Sequence, residues 1–318
     1  MKKLTLPPTF DQIRETHDAI HSFIHKTPVI TCSQLDNISG AHLFFKCENF
    51  QKIGAFKMRG ASSAALRLTP EEKKAGLATH SSGNHAQAVA LSAKLMGIPA
   101  HIVMPDVSPT IKVNATKGYG ANVYFCENNQ QAREDTLAEI QEKTGAAFIH
   151  PYDDYNVIAG QATAAKELLE TISGLDAVIA PIGGGGLMSG TALSTKHLSS
   201  ETKIYGAEPE EVDDAFRSFT SGKLQKNTTI NTIADGLRTN LSEKTFGIIK
   251  SHVDDIFTVS EQAIMEAMML IYERMKIVIE PSSAVPFAAI LANPQIFRGK
   301  RIGIIISGGN VDLPKIFS

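Results

Sequence analysis

The chain has 318 residues, 43% of them hydrophobic and 20% charged, with a formal net charge of −2. That is enough material for a large core and two lobes, and the near-neutral balance, without a basic stripe interleaved with aromatics, excludes nucleic acid as a partner class. Apolar runs are no longer than strands, so no membrane span is expected; three cysteines with no CxxC pair (Cys32, Cys47, Cys126) argue against a disulfide framework or a zinc site.

The opening MKKLTLPPTF has no apolar stretch of signal-peptide length before Pro7 and Pro8, and a reducing cytoplasm is the expected place. A helix is expected over 11–23, and Pro28 closes the segment after it. An apolar strand covers 42–47, and helical spacing returns over 56–68 after Gly54. A brief strand at 77–79 runs into HSSGNHAQ, from which a small-residue helix covers 84–96. Strands at 100–104, 122–125 and 147–149 alternate with helices at 111–117 and 130–144. The loop 150–154 and a helix at 157–169 follow. The apolar run 177–182 is a buried strand, four glycines come next, and 187–198 is helical. Beyond lie a strand at 203–207, a polar exposed loop at 218–231, a helix at 245–252 and a strand at 255–259. A helix at 261–276 carries Ile264, Met268 and Ile271 at helical spacing; Met265, Met268, Met269 and Met275 are expected as core filler. Proline opens a helix at 281–291, and 302–306 is the last buried strand. Such alternation predicts an α/β protein with mostly parallel sheet, and two compact series, 76–151 and 152–318, predict two lobes.

Strand, glycine turn and helix together make an anion site, because free N–H groups and the helix dipole point at the turn. The turn is Gly183, Gly184, Gly185 and Gly186, followed by Leu187. A phosphate is the expected anion. No GxxxxGK[ST] is present, and the dinucleotide fingerprint GxGxxG fails, since its third glycine falls on Ser189 or Met188. Glu208 nonetheless lies at about the distance that would hold a ribose. A glycine run alone also suits a loop without a ligand.

Other candidates have an ordinary reading beside the functional one. Lys57 can form a Schiff base with an aldehyde cofactor and later act as a base; by type alone it is one of 31 Lys and Arg. Ser81, Ser82, Gly83, Asn84 and His85 offer hydroxyls and N–H groups at a helix start, which suits a carboxylate or plain N-capping. Glu208 and Asp214, six apart with loop carbonyls between them, can hold a hard cation or form a solvated acidic loop.

GAFKMRGA from Gly54, SSGNHAQA from Ser81, GGGGLMSG from Gly183 and SGGN from Ser307 occur in this order. So do IAGQAT, TIADGLRT, VDDIFTVSE and RMKIVIEPSSA. The combination resembles the fold-type II pyridoxal-phosphate enzymes, in particular the serine racemase and serine/threonine dehydratase branch, over about residues 27–313. The resemblance implies a two-lobed, tryptophan synthase β-like architecture. Its large cofactor-binding domain would comprise 1–75 and 152–318, and its small mobile domain 76–151. It implies pyridoxal 5'-phosphate joined to Lys57, its phosphate held by Gly183, Gly184, Gly185, Gly186 and Leu187. Asn84 would meet the ring hydroxyl and Ser307 the pyridine nitrogen. The substrate would meet Ser81, Ser82, Gly83, Asn84 and His85, with Arg133 reaching its carboxylate. His85 itself reads as a loop support rather than a proton carrier. A structural Mg²⁺ site, or Ca²⁺ or Mn²⁺, would use Glu208, the Val212 carbonyl and Asp214. A homodimer is implied; Lys52 matches a nucleotide-effector position, but the facing positions are not all retained, so ATP stays open.

The reaction so implied is β-elimination of L-serine or L-threonine to pyruvate or 2-oxobutanoate and ammonia, with Lys57 removing the α-proton. A serine racemase is the rival: Ser82 would donate to the opposite face, where many dehydratases of the family carry alanine. Arg238 in ADGLRT suggests a further rival, a threo-3-hydroxyaspartate ammonia-lyase pairing this cation with a side-chain carboxylate. Ala162 departs from the family's GQGT, so the packing of that helix is expected to differ.

Overall fold

The computed structural model describes residues 1–316. Among them ten strands form two sheets: β1 (Val29–Ile30), β2 (His42–Cys47), β3 (Leu77–His80), β4 (Ala100–Pro105), β5 (Asn122–Cys126), β6 (Ala147–Phe148), β7 (Ala177–Pro181), β8 (Lys203–Pro209), β9 (Asp255–Val259) and β10 (Arg301–Ile306). The larger sheet runs β1-β2-β10-β7-β8-β9 and the smaller β5-β4-β3-β6. Every pairing is parallel except β1 with β2. The chain is thus α/β with helices covering the sheets. That is why β10 and β7 read as unbroken apolar runs: IGIII and AVIAP are buried on both faces.

Elements that periodicity misses are short. β1 has two residues, and the helices Ser33–Ser39 and Pro70–Ala75 are too brief to show a 3.6-residue stripe. The first helix is Phe10–Ile20, not 11–23; Thr9 caps it with Gln12 in a capping box. Residues 218–221, expected as loop, finish the helix Asp214–Ser221. Met268 is buried, but Met269 points outward with 36% exposure, so the methionines are not all core.

Lys57 opens the helix Lys57–Leu66, and that helix has little freedom. It crosses the helix Tyr155–Thr171 glycine on glycine: a Cβ on Gly160 would stand 2.3 Å from the Arg59 carbonyl oxygen, and one on Gly60 2.3 Å from Gln161 Nε2. The helix Gly186–Leu198 meets the same partner through Gly190, where a Cβ would come within 2.5 Å of Ala162 N. Ala162 is fully buried at that contact, and its carbonyl accepts from Ser194 Oγ at 2.8 Å.

One turn into the helix, Arg59 is wholly buried and uses all five N–H donors. They reach both Glu48 oxygens (2.7 and 2.9 Å), both Glu167 oxygens (2.8 Å each) and Thr163 Oγ1 (3.0 Å). Lys46, equally buried, adds bonds to Glu167 and to the Thr27 carbonyl. Burial works to lower the Arg59 pKa, but the Glu48 charge and the Glu167 hydrogen bond outweigh it and hold the pKa above its ordinary value. This knot of two cations and two anions ties β2, the Lys57 helix and the helix Tyr155–Thr171 together.

Candidate active site

The carboxyl ends of β3, β6, β7 and β10 converge, as they do in open parallel sheets. β7 delivers the glycine turn. Three of its four glycines have no room for a side chain, and Gly186 is tight, with a Cβ falling 3.0 Å from Tyr152 Cβ. A Cβ on Gly184 would lie 2.3 Å from the Tyr152 ring, one on Gly183 2.9 Å from Leu237 Cα, and one on Gly185 2.6 Å from Leu241. Gly185 also has φ 82°, in the left-handed region. Leu187 is buried in the first turn of the following helix.

Two helices begin at this site, and neither is capped by a side chain. Gly185 precedes Gly186–Leu198 and Gly83 precedes Asn84–Met96. Thr9, Thr69, Asn129, Asp154, Ser242 and Ser260 cap other helices, while Ser33–Ser39, Lys57–Leu66, Thr110–Gly118, Asp214–Ser221 and Pro281–Ala292 also start without a side-chain cap. The first amides of these two helices therefore remain open to an anion.

Lys57 Nζ donates to the Pro151 carbonyl at 2.8 Å, next to Tyr152 of the glycine wall. Burial lowers its pKa to about 8, with the Glu280 charge pulling the other way. Phe56 N donates to the Ser307 carbonyl at 3.0 Å, which joins the Lys57 segment to the end of β10. Ser307 Oγ pairs with Ser283 Oγ at 2.9 Å. Asn84 Nδ2 donates to both Glu280 oxygens, at 3.1 and 2.9 Å. Burial raises the Glu280 pKa to about 7, against the hydrogen bond from Asn84.

Ser81 Oγ accepts from Gly83 N at 3.3 Å, while Ser82 makes no side-chain hydrogen bond among the described residues. His85 is buried and its Nε2 meets the Ile149 carbonyl at 2.8 Å. Burial holds its pKa well below the ordinary value, so it is a neutral support for the loop. Arg133 lies on the smaller sheet's flank, where Nη2 donates to Asn128 Oδ1 at 2.9 Å and its charge acts on His80, just before Ser81. Glu208 and Asp214 lie behind the glycine wall. Glu208 accepts from Ala215 N and Phe216 N, and Asp214 from Leu241 N and Asn227 Nδ2. Burial raises both carboxyl pKa values, that of Asp214 to about 6. Among the described residues neither carries a salt bridge. Val212 is buried in the short turn between them.

Comparison with known proteins decides the family. The pyridoxal-phosphate dependent enzyme profile matches residues 20–308. The chain belongs to that family. A "beta-hydroxyaspartate dehydratase" of Paracoccus denitrificans (strain Pd 1222) is 49% identical over 309 residues, covering 97% of this chain and 98% of that one. A "Serine racemase" of Dictyostelium discoideum is 48% identical over 314 residues, covering 97% and 96%. The crystal structure of the Dictyostelium racemase superposes with a TM-score of 0.92, covering 96% of this chain and 99% of that one. The threonine deaminase of T.th. superposes at 0.91 with 42% identity, covering 96% and 99%.

The residues present fit the family's cofactor. Closely hemmed glycines and open helix amides suit a phosphate, and a half-buried lysine of lowered pKa suits an aldehyde. Sequence reasoning missed Pro151, Tyr152, Glu280, Ser283 and Asn310. Glu280 had a signal: a lone acid inside the apolar stretch IVIEPSSAV, just before a helix-opening proline.

Proposed function

We propose that the chain is an ammonia-lyase for β-hydroxy amino acids, with L-serine and L-threonine as substrates and pyruvate or 2-oxobutanoate plus ammonia as products. The observation that carries this reading is Lys57, a half-buried lysine whose desolvated amine has a pKa of about 8, beside two uncapped helix starts. Pyridoxal phosphate, when bound, supplies an electron sink for the pair released at the α-carbon. Gly183 to Gly186 and Leu187 would grip its phosphate through main-chain amides. Asn84 would meet the ring hydroxyl. Ser307 would face the pyridine nitrogen with a neutral hydroxyl, which brings no negative charge to that end. The amides of 81–85 take the α-carboxylate, with Arg133 reaching it when residues 76–151 close as a small lobe over 1–75 and 152–318. Lys57 removes the α-proton. Glu208, the Val212 carbonyl and Asp214 would hold a hard cation such as Mg²⁺; two buried carboxylates that no salt bridge engages among the described residues have the donor chemistry for it. That ion would brace the wall through Leu241, which packs on Gly185.

Racemisation of serine is favoured as a second activity by Ser82, whose hydroxyl is engaged by no neighbour among the described residues. The racemase name of the Dictyostelium relative agrees with it. A β-hydroxyaspartate substrate is supported by the name of the Paracoccus relative and by Arg238, on the turn whose Leu237 faces Gly183. That guanidinium holds the Thr232 carbonyl through Nε and Nη2.

Parallel incubation with L-serine, L-threonine and threo-3-hydroxyaspartate, measuring 2-oxo acid, ammonia and D-serine, separates these activities. No 2-oxo acid from serine or threonine would sink the main reading. In Ser82→Ala, D-serine formation is expected to fall by about 10²-fold or more, with 2-oxo acid formation kept within a few-fold. Unchanged D-serine would remove Ser82 as the second acid.

The lowered pKa of Lys57 sets a pH dependence. Only the neutral amine attacks an aldehyde. Uptake of pyridoxal phosphate by the cofactor-free protein is expected to rise about tenfold per pH unit up to about pH 8, then level off. An ordinary lysine would keep rising to about pH 10.4. Stopped-flow absorbance reads the difference.

A further inference from the structure

Asn84 is read above as the side chain that meets the cofactor's ring hydroxyl, and an amide can present either a donor or an acceptor there. We propose that Glu280 is a positioning residue which, with Asn310, fixes the Asn84 amide as a donor. The inference rests on that reading of Asn84.

Three segments far apart in the chain meet at this one amide, and a fourth, through Ile53, holds Asn310. Its Nδ2 faces both Glu280 oxygens at 3.1 and 2.9 Å, and its Oδ1 accepts from Asn310 Nδ2 at 2.8 Å. Asn310 Nδ2 also donates to the Ile53 carbonyl at 2.7 Å. A main-chain carbonyl only accepts, so Asn310 must turn its NH₂ toward Ile53 and can give its second hydrogen to Asn84 Oδ1. The ionised Glu280 carboxylate only accepts, so Asn84 turns its NH₂ toward it, and the Asn310 donor at Asn84 Oδ1 requires that same orientation independently of the protonation of Glu280. Flipping Asn84 would set oxygen against oxygen and NH₂ against NH₂, losing the bonds at both ends. One Nδ2 hydrogen can serve the two Glu280 oxygens as a bifurcated pair, which leaves the second for a ring oxygen.

The seats of these partners are built to hold them. Ile53 is β-branched and buried, yet has φ 62°, a conformation that such residues avoid. Gly54 follows with φ 71°, and a Cβ there would lie 2.9 Å from Asn310 Oδ1. Glu280 is buried, and its N donates to the Gly308 carbonyl at 3.0 Å. A Cβ on Gly308 would stand 2.8 Å from Glu280 Oε1, so the SGGN turn makes room for this carboxyl. The charges that act on it are Lys57 and Lys112, which favour its ionised form, and Asp235, which opposes it.

A donor held at the ring oxygen favours the ionised ring hydroxyl, which gives a spectroscopic readout. Glu280→Gln replaces an obligate acceptor by an amide that can pair with Asn84 either way round. Asn310→Ala tests the same seat without touching a buried carboxyl. Cofactor-free protein is titrated with pyridoxal phosphate by absorbance over a range of pH. Each variant is expected to weaken binding about tenfold and to move the pH midpoint of the visible bands of the bound cofactor. In an Asn84→Ala background, adding Glu280→Gln should change neither by more than about twofold, because its effect passes through Asn84. Equal effects with and without Asn84, or an unchanged dissociation constant and spectrum in both single variants, would overturn the proposal. Borohydride reduction of the loaded wild-type protein followed by mass mapping keeps the two readings separate. Cofactor fixed on Lys57 with no effect of Glu280→Gln rejects only the positioning role, whereas no fixation on Lys57 rejects the function it rests on.

Discussion

Lys57→Met is expected to abolish covalent retention of pyridoxal phosphate and to lower 2-oxo acid formation by at least about 10³-fold. Methionine has a similar reach and no amine, so the helix Lys57–Leu66 keeps its packing while the nucleophile and base are removed together. The cofactor-free variant should melt no lower than the wild type near pH 7. Burial places the Lys57 pKa at about 8, below its ordinary 10.5, so the folded protein resists the proton that the unfolded chain accepts readily. The sign follows from linkage: between about 8 and 10.5 the unfolded state binds more protons, and stability contributed by this group rises with pH there. Below that window the lysine is a net cost to the fold, which Lys57→Met removes. Borohydride reduction with mass mapping, steady-state turnover and a thermal melt of the cofactor-free protein check the three parts. Retained turnover would remove Lys57 from the chemistry.

The largest effect on stability is expected at Arg59. Arg59→Met would leave Glu48 and Glu167 buried with Lys46 as the one buried cation beside them and the His17 ring as the other partner of Glu167, at a cost of about 3–5 kcal/mol in urea unfolding. Burial by itself would raise the Glu167 pKa, but hydrogen bonds from His17 and Arg59, and the charges of Arg59 and Lys46, hold it below the ordinary carboxylate range. A carboxyl lowered in the fold contributes stability above its unfolded pKa and loses it as pH falls through the folded one. The wild type should therefore resist acid better than Arg59→Met. A loss below about 1 kcal/mol would show that water or a rearranged Lys46 compensates the two carboxylates.

The α/β class was legible because buried parallel strands are apolar throughout: IGIII and AVIAP need no alternation to be recognised. The glycine turn was legible because four glycines between strand and helix have few other uses. Arg59, Glu48, Glu167 and Lys46 were not. The pairs Arg59–Glu167 and Lys46–Glu167 are separated by 108 and 121 residues, and no local pattern marks them. The helix Tyr155–Thr171 is buried on all sides through Leu168, Lys166 and Glu167 included, so a search for one apolar stripe misjudges which charges face water. Glu280 and Asn310 escaped notice for a similar reason. Their meaning lies in an amide more than two hundred residues away from Asn310 and nearly as far from Glu280, and a sequence shows each only as a polar residue beside a turn.

The place of β10 has a consequence for how the protein comes into being. It lies between β2 and β7, so it is the middle of the larger sheet, yet it is the last strand of the described chain to be synthesised. On the ribosome, β2 must wait for its parallel neighbour while nearly the whole polypeptide passes by. The smaller sheet, by contrast, draws all its strands from one continuous stretch, residues 77–148, and can assemble much earlier. The nascent chain therefore carries a finished smaller sheet beside a larger one whose exposed β2 and β7 edges have no partner until β10 emerges. The lysine-bearing site, whose Phe56 amide bonds the Ser307 carbonyl at the end of β10, is completed only once that strand has joined.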